Sequence, residues 1–204
     1  MSELDVPSPI DLRDPTDAQE WERTAQARPG RAQVFTVFAD ELHKIDKQRL
    51  EVLELGSGPA FLAAYLFNVL PNLRMTLLDF SPAMQDLARK RLYKNVGRAR
   101  FVELNFKEAG WWNGLGTFDA VITNQAVHEL RHKRHAIELH KEVKKVLKPN
   151  APYLVSDHFF GEGGLLNDQL YMTVAEHREA LLKAGYLKVY QVASAGSLVM
   201  HRAI

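Results

Sequence analysis

Glu54-Leu55-Gly56-Ser57-Gly58-Pro59-Ala60 stands where an apolar run, Arg49 to Leu55, gives way to a helical pattern over Ala60 to Leu70. Strand, glycine turn and helix in immediate succession open a βαβ unit. The two glycines remove Cβ atoms where the backbone turns sharply and can approach another molecule, at the carboxyl end of a parallel strand. A Gly-x-Gly turn also serves as a plain tight connection, so alone it leaves ligand binding open.

Outward from this turn, short apolar runs alternate with amphipathic segments of helical length, the signature of a parallel sheet covered by helices. Further strands are expected at Arg74 to Asp79, Ala99 to Glu103, Phe118 to Thr123 and Ala151 to Asp157, with helices at Pro82 to Lys94, Lys133 to Leu147 and Val174 to Ala184. Tyr186 to Ala193 and Ser197 to Ala203, separated by Ser194-Ala195-Gly196, read as a terminal hairpin. The expected fold is α/β: a doubly wound, mostly parallel, seven-stranded sheet with a C-terminal antiparallel hairpin, preceded by N-terminal helices. Residues 1–48 form an arm and a helical lid or brace, and residues 49–204 form the sheet domain. Met1 to Pro15, with Pro7, Pro9 and Pro15, reads as an extended arm. Thr16 or Asp17 can cap a helix through about Ala27, Arg28-Pro29-Gly30 breaks it, and Val34, Phe35, Val37, Phe38 and Leu42 mark a second helix.

The composition narrows the function. With 26 Lys and Arg against 25 Asp and Glu among 204 residues, the formal net charge is +1, far from the basic bias of a dedicated nucleic-acid binder. The absence of cysteine removes disulfides, thiolate nucleophiles and Cys-ligated metals, and no metal site is read. No stretch approaches the roughly 18 apolar residues of a membrane span, and the polar, Pro-rich N-terminus has no apolar leader; a cytoplasmic protein is expected.

The second strand ends at Asp79, about 20 residues past the glycines, where a ribose diol would present two hydroxyls. Asp79 could instead only cap the next helix, although Ser81-Pro82 is itself a good helix start. Phe80 lies either against a purine or in the helix–strand interface. A pyrophosphate cofactor wants free N–H groups and positive charge at the turn. Here Glu54 stands just before the glycines, Pro59 lacks an N–H, and no Lys or Arg falls between Glu54 and Leu73. A ligand carrying an ammonium and a sulfonium, such as S-adenosylmethionine, suits that charge better.

Over about residues 49 to 204 the chain resembles a class I S-adenosylmethionine-dependent methyltransferase of the small-molecule type. The likeness is a series in order: ELGSGP (54–59), LLDFSPAM (77–84), FVELNF (101–106), FDAVITNQAVHEL (118–130), HKEVKKVLKPN (140–150) and LYMTVAEHREALLKAGY (170–186). The resemblance implies S-adenosylmethionine as cofactor, released as S-adenosylhomocysteine. It places Gly56, Ser57 and Gly58 under the methionine moiety with Glu54 behind, Asp79 on the ribose, and Phe80 beside the adenine. Asn105 stands where the family often has Asp to accept from the adenine amino group, with Phe106 beside it, and Asn124 and Gln125 lie near the methionine ammonium. Ala60 replaces a usual third glycine, Asn150 stands in place of a glycine pair, and Pro59 stiffens the turn.

Methyl transfer from a sulfonium asks the protein to align the nucleophile, exclude water and sometimes take a proton. Candidate bases are His128, Glu129, Asp157 and His158, with His128 first because imidazole is near-neutral at physiological pH; a capping or packing role competes for both histidines. Trp111, Trp112, Phe159 and Phe160 are either an aromatic wall for the acceptor or core, the tryptophans more naturally core. The basic run Arg131 to His135 and Lys141, Lys144, Lys145 and Lys148 read as a solvated helix face rather than an RNA surface. Arg28, Arg31 or Phe35 could close on the site, and Gly161-Glu162-Gly163-Gly164 should border the acceptor pocket. The expected partner is a small-molecule acceptor, without membrane or nucleic acid; a homo-oligomer is compatible with all of this. The competing functions are an RNA-directed methyltransferase, a non-catalytic nucleoside-binding scaffold and a nicotinamide dehydrogenase.

Overall fold

In the computed structural model, which describes residues 4–25 and 28–204, the apolar runs become β1 (Leu50–Leu55), β2 (Leu73–Asp79), β3 (Ala99–Glu103), β4 (Ala120–Asn124), β5 (Tyr153–His158), β6 (Val189–Ala195) and β7 (Leu198–Ala203). They form one sheet in the order β3-β2-β1-β4-β5-β7-β6. All pairs are parallel except those of β7, which runs antiparallel to β5 and β6. This is the expected α/β class, and the order reverses between β1 and β4, which places a crevice at their carboxyl ends.

Alternation along the strands explains the layers. Leu50 and Val52 of β1, Ala120 and Ile122 of β4 and Leu154 of β5 join one apolar cluster, while Leu53, Leu55, Val121, Tyr153 and Val155 join the other. The first cluster is covered by α2 (Arg31–His43), α3 (Phe61–Val69) and α4 (Pro82–Leu92); the second is covered by α5 (Ala136–Val143) and α6 (Val174–Lys183). Val34, Phe35, Phe38, Ala39 and Leu42 are all buried, so α2 packs on the sheet through this face, and Phe35 is core rather than a lining residue. The arm is strapped across the ligand end of the sheet: Val6 N–H donates to the Arg131 carbonyl (2.8 Å), and Arg131 donates to the carbonyls of Val6 and Pro7 (2.9 and 2.7 Å).

Several boundaries differ from expectation. Helix α1 (Pro15–Ala25) is capped by Asp14, whose Oδ1 accepts from the N–H of Thr16 and of Asp17 (2.8 and 3.1 Å). Pro15 has no N–H to satisfy and fits the first helical position, which moves the cap two residues ahead of Thr16; the expected end near Ala27 lies outside the described residues. The hairpin turn is Gly196-Ser197 with Gly196 at φ +58°, so Ser194 and Ala195 stay in β6. The helix expected over Lys133 to Leu147 is α5 flanked by 3-10 turns at Lys133–His135 and Lys144–Val146. Its end is drawn to the sheet, where Phe118 N–H donates to the Val146 carbonyl and Lys148 N–H to that of Phe118 (2.9 and 3.0 Å). Asn150 adopts φ +62°, the left-handed conformation that Asn tolerates. Ala60, at φ +59°, pays for the missing glycine with a strained position at the start of α3.

Helix α5 buries Ala136, Leu139, His140 and Val143 along one face. His140 is 1% exposed and neither ring nitrogen has a partner among the described residues; burial, with His177 nearby, pushes it down to about 3. The unfolded chain therefore takes up this proton near pH 6.5 while the folded one resists it, so the stability His140 permits is present above pH 6.5 and lost as pH falls toward 3. His140→Phe should stabilise the protein at pH 7, and its advantage over wild type should grow by about 1.4 kcal/mol per pH unit below 6.5. Urea unfolding at pH 7, 5.5 and 4.5 measures this, and a constant difference would refute it.

Candidate functional site

The glycine turn is knitted to β2. The Leu78 carbonyl accepts from both Gly56 N–H and Ser57 N–H (2.9 and 3.1 Å), and Asp79 Oδ2 accepts from Gly58 N–H (2.7 Å). Asp79 Oδ1 takes the Ser81 N–H (2.9 Å), while Ser81 Oγ caps α4 by accepting from Met84 N–H (3.0 Å). Ser81 thus does the capping, and Asp79 fixes the turn. Burial raises its pKa to about 6 against the pull of those N–H groups. Gly56 (φ +65°) has no room for a side chain, since a Cβ there would sit 2.5 Å from that of Ala126, whereas one on Gly58 (φ +50°) would meet nothing within 4 Å and would enter the cleft.

That cleft, about 780 Å3, is lined by Glu54, Gly56, Ser57, Gly58, Asp79, Phe80, Asn105, Phe106, Asn124 and Gln125, all ten residues expected from the sequence to hold a cofactor. Three buried atoms among them have no partner among the described residues: Glu54 Oε2, Ser57 Oγ and Asn124 Oδ1. Two can only accept, which suits a positively charged donor. Burial, reinforced by Asp79 and opposed by Arg31, pushes Glu54 up to about 8. Phe80 is half-buried beside the cleft with Arg13 over its ring (5.3 Å). Asn105 Oδ1 accepts from Lys107 N–H (3.1 Å), which uses one of its two lone pairs. The local run of sequence showed no cation, yet Arg28 and Arg31 also line the cleft. Arg31 donates to the Ala25 carbonyl (2.9 Å) and lies over Phe61 (4.9 Å).

A second cavity, about 1230 Å3, opens beside the first and shares Trp21, Arg28, His128 and Glu129 with it. Ser8, Pro9, Ile10 and α1 form one wall; His158, Leu165 and Tyr171 form another. The rings of His128, His158 and Tyr171 pack with centroids 5.6 to 5.9 Å apart. His128 Nδ1 lies 2.6 Å from Asp157 Oδ1, its backbone N–H donates to Asp157 Oδ2 (2.8 Å), and its Nε2 lies 3.3 Å from Glu129 Oε1. Carboxylate oxygens only accept, so each ring nitrogen faces an acceptor. Burial opposes charge on His128, but Asp157 and Glu129 prevail and hold it up to about 10, while Asp157, despite its own burial, falls to about 2. His158 is the opposite case: Nε2 lies 2.9 Å from the Gln125 amide nitrogen, Nδ1 lies 2.7 Å from Ser197 Oγ, and burial pushes it down to about 4. His128 is a charged, positioned group, and His158 is a neutral one with both nitrogens engaged.

The tryptophans are core, the reading favoured for them: Trp111 is buried, Trp112 packs against the same cluster, and both donate to Glu142 (2.8 and 3.3 Å) on the α5 side. Phe159 and Phe160 line neither cavity, and the aromatic residues that do line the outer one include Trp21 and Tyr171. The lysines after α5 are used internally: Lys148 pairs with Asp119 (2.9 Å) and Lys145 lies over Trp112 (4.3 Å). Among the described residues no helix is long and apolar enough to cross a membrane.

Residues 52–150 match a family model described as a methyltransferase domain. The chain is 34% identical over 70 residues to a malonyl-[acyl-carrier protein] O-methyltransferase of Acetivibrio thermocellus, covering 34% of this chain and 24% of that protein. It is 26% identical over 109 residues to a non-reducing polyketide synthase of Aspergillus novofumigatus, covering 51% of this chain and 5% of that one. In fold it is similar to human N-acetylserotonin methyltransferase in complex with SAM, with a TM-score of 0.69 at 17% identity, covering 94% of this chain and 56% of that one. The chain therefore spans only part of each protein it resembles.

The turn gives a paired expectation. Gly56→Ala should cost more than about 2 kcal/mol through overpacking against Ala126, whereas Gly58→Ala should cost only about 1 kcal/mol of left-handed strain. Urea unfolding of both compares them; equal costs would mean that the contact with Ala126 does not constrain Gly56.

Proposed function

We propose that the chain, whose residues 52–150 match a methyltransferase domain, is a class I S-adenosylmethionine-dependent methyltransferase that binds S-adenosylmethionine in the inner cleft and methylates a small molecule held in the outer cavity. The observation that carries this reading is the set of unpartnered buried atoms, Glu54 Oε2, Ser57 Oγ and Asn124 Oδ1, at the turn. An ammonium satisfies the carboxylate and amide oxygens; a pyrophosphate, which can only accept, would meet those two with repulsion. When bound, the cofactor supplies a methyl group on a positively charged sulfur.

In this assignment Glu54 and Asn124 accept from the ammonium, Arg31 takes the methionine carboxylate, and Gly56, Ser57 and Gly58 give the backbone its close approach. Asp79 accepts from the ribose hydroxyls with the lone pairs its backbone partners leave free. Phe80, Asn105 and Phe106 hold the adenine. Gln125 ties the cleft to His158. His128, fixed by Asp157, stands with Trp21, Arg28 and Glu129 where the two cavities meet, so an acceptor there is aligned with the donor and screened from water by the arm and α1.

Calorimetry tests the cofactor assignment. S-adenosylhomocysteine should bind wild type and NAD should not. Asp79→Ala should weaken binding at least about a hundredfold, and Asp79→Asn, which keeps one acceptor oxygen for the turn, controls for folding. Since Glu54 rests near 8 in the free protein, binding at pH 7 should release a proton, visible as a buffer-dependent heat. Tight NAD binding, or Asp79→Asn and Asp79→Ala both matching wild type while folded, would overturn the assignment.

A further inference from the structure

Arg28 stands at the junction of the two cavities and is half-buried. Among the described residues its guanidinium makes no hydrogen bond or ion pair; it lies over the Trp21 ring, 4.9 Å from the centroid. The other charges on the outer cavity are already matched. Arg131 donates to the arm carbonyls and to Glu129 (3.4 Å), and Glu129 also faces His128. Glu20 pairs with Arg23 (2.6 Å), and Asp17 accepts from Asp11 N–H (3.0 Å). Arg31, the neighbouring cation, lines the inner cleft and not the outer cavity, and with its Nε unpartnered among the described residues it is the one assigned to the methionine carboxylate. A planar, five-donor fork left without an acceptor in a partly dry cavity is a carboxylate subsite in waiting.

The histidines point the same way. Both nitrogens of His128 face carboxylate oxygens and both nitrogens of His158 are bound to Gln125 and Ser197, so neither offers a free lone pair to take a proton from an acceptor. Their shifts, up for His128 and down for His158, agree with that geometry. An alcohol or phenol acceptor must shed a proton; an acceptor that is already an anion need not.

Resting on the proposed S-adenosylmethionine site, we infer that the acceptor is a carboxylic acid, bound as its anion by Arg28 and methylated on oxygen to give a methyl ester. A carboxylate lone pair forms the O–CH3 bond as the S–CH3 bond breaks and its electron pair stays on sulfur. An anion and a sulfonium become a neutral ester and a thioether, and no proton moves. The aromatic lining from Trp21, Tyr171 and His158 suits an aryl or otherwise flat organic group behind the carboxylate.

The test uses the whole protein saturated with S-adenosylhomocysteine and follows Trp fluorescence and melting temperature. The probes are benzoate and phenylacetate, each against its primary amide, which matches it in shape without charge. Wild type should favour each carboxylate by at least about tenfold. Arg28→Gln should lose that preference while keeping its S-adenosylhomocysteine affinity within about twofold, and Arg28→Lys should keep part of it. Equal affinity for acid and amide overturns the inference, as does an undiminished preference in Arg28→Gln. Loss of S-adenosylhomocysteine binding in Arg28→Gln also overturns it, by assigning Arg28 to the cofactor's own carboxylate. If wild type ignores S-adenosylhomocysteine, the cofactor assignment itself fails, a result separate from any probe preference.

Discussion

The ligand end of the sheet depends on the Asp79 carboxylate. Its two oxygens hold the Gly58 and Ser81 N–H groups, so one side chain joins the turn after β1, the end of β2 and the start of α4. A carboxylate this deeply buried is costly unless its lone pairs are used. The two N–H groups use some of them, and the remainder point at the cleft. The residue that shapes the turn and the residue best placed to accept from a ligand are therefore one, which couples the local stability of the turn to the recognition of whatever lies over it.

Much of the inner cleft was legible because its residues obey a positional rule. Each follows the carboxyl end of a parallel strand, and parallel strands in one sheet bring those ends to one edge whatever lies between them. Glu54 to Gly58, Asp79, Asn105 and Asn124 could be placed together from strand order alone. The outer cavity obeys no such rule. Trp21 and Arg28 arrive from the helices ahead of the sheet, and Tyr171 from the loop after β5, so their meeting with His128 is a matter of tertiary packing with no local pattern to announce it. The pairing of His128 with Asp157 could have been suspected from two adjacent strands both ending in polar residues, but only the register between β4 and β5 decides that the carboxylate reaches both the ring and the backbone of His128. The reading of charge along the glycine turn was correct locally and incomplete in space, since two arginines enter the same cleft from elsewhere.

Two histidines 5.6 Å apart settle into opposite states. Burial disfavours charge on both, and a second imidazolium beside His128 is disfavoured further. Asp157 faces the His128 ring but accepts only the backbone N–H of His158, and its attraction for the His158 ring does not overcome burial. The charge therefore stays where the carboxylates are, and His158 is left to bridge Gln125 and Ser197, linking the crevice between β1 and β4 to the turn of the terminal hairpin.

On the proposed reading, the two cavities have opposite electrostatic tasks. Acceptor oxygens gather at Glu54 and Asn124, where the ammonium would lie, and unmatched positive charge gathers at Arg28, where an anion would lie. The acceptor is thus held by charge that the reaction abolishes, carboxylate becoming ester, whereas the ammonium of the cofactor persists. Arg28 then loses its grip on the ester, while the ammonium and ribose contacts stay unchanged. Release of the ester ahead of the spent cofactor follows from that difference, because only the acceptor's principal anchor is charge that has disappeared.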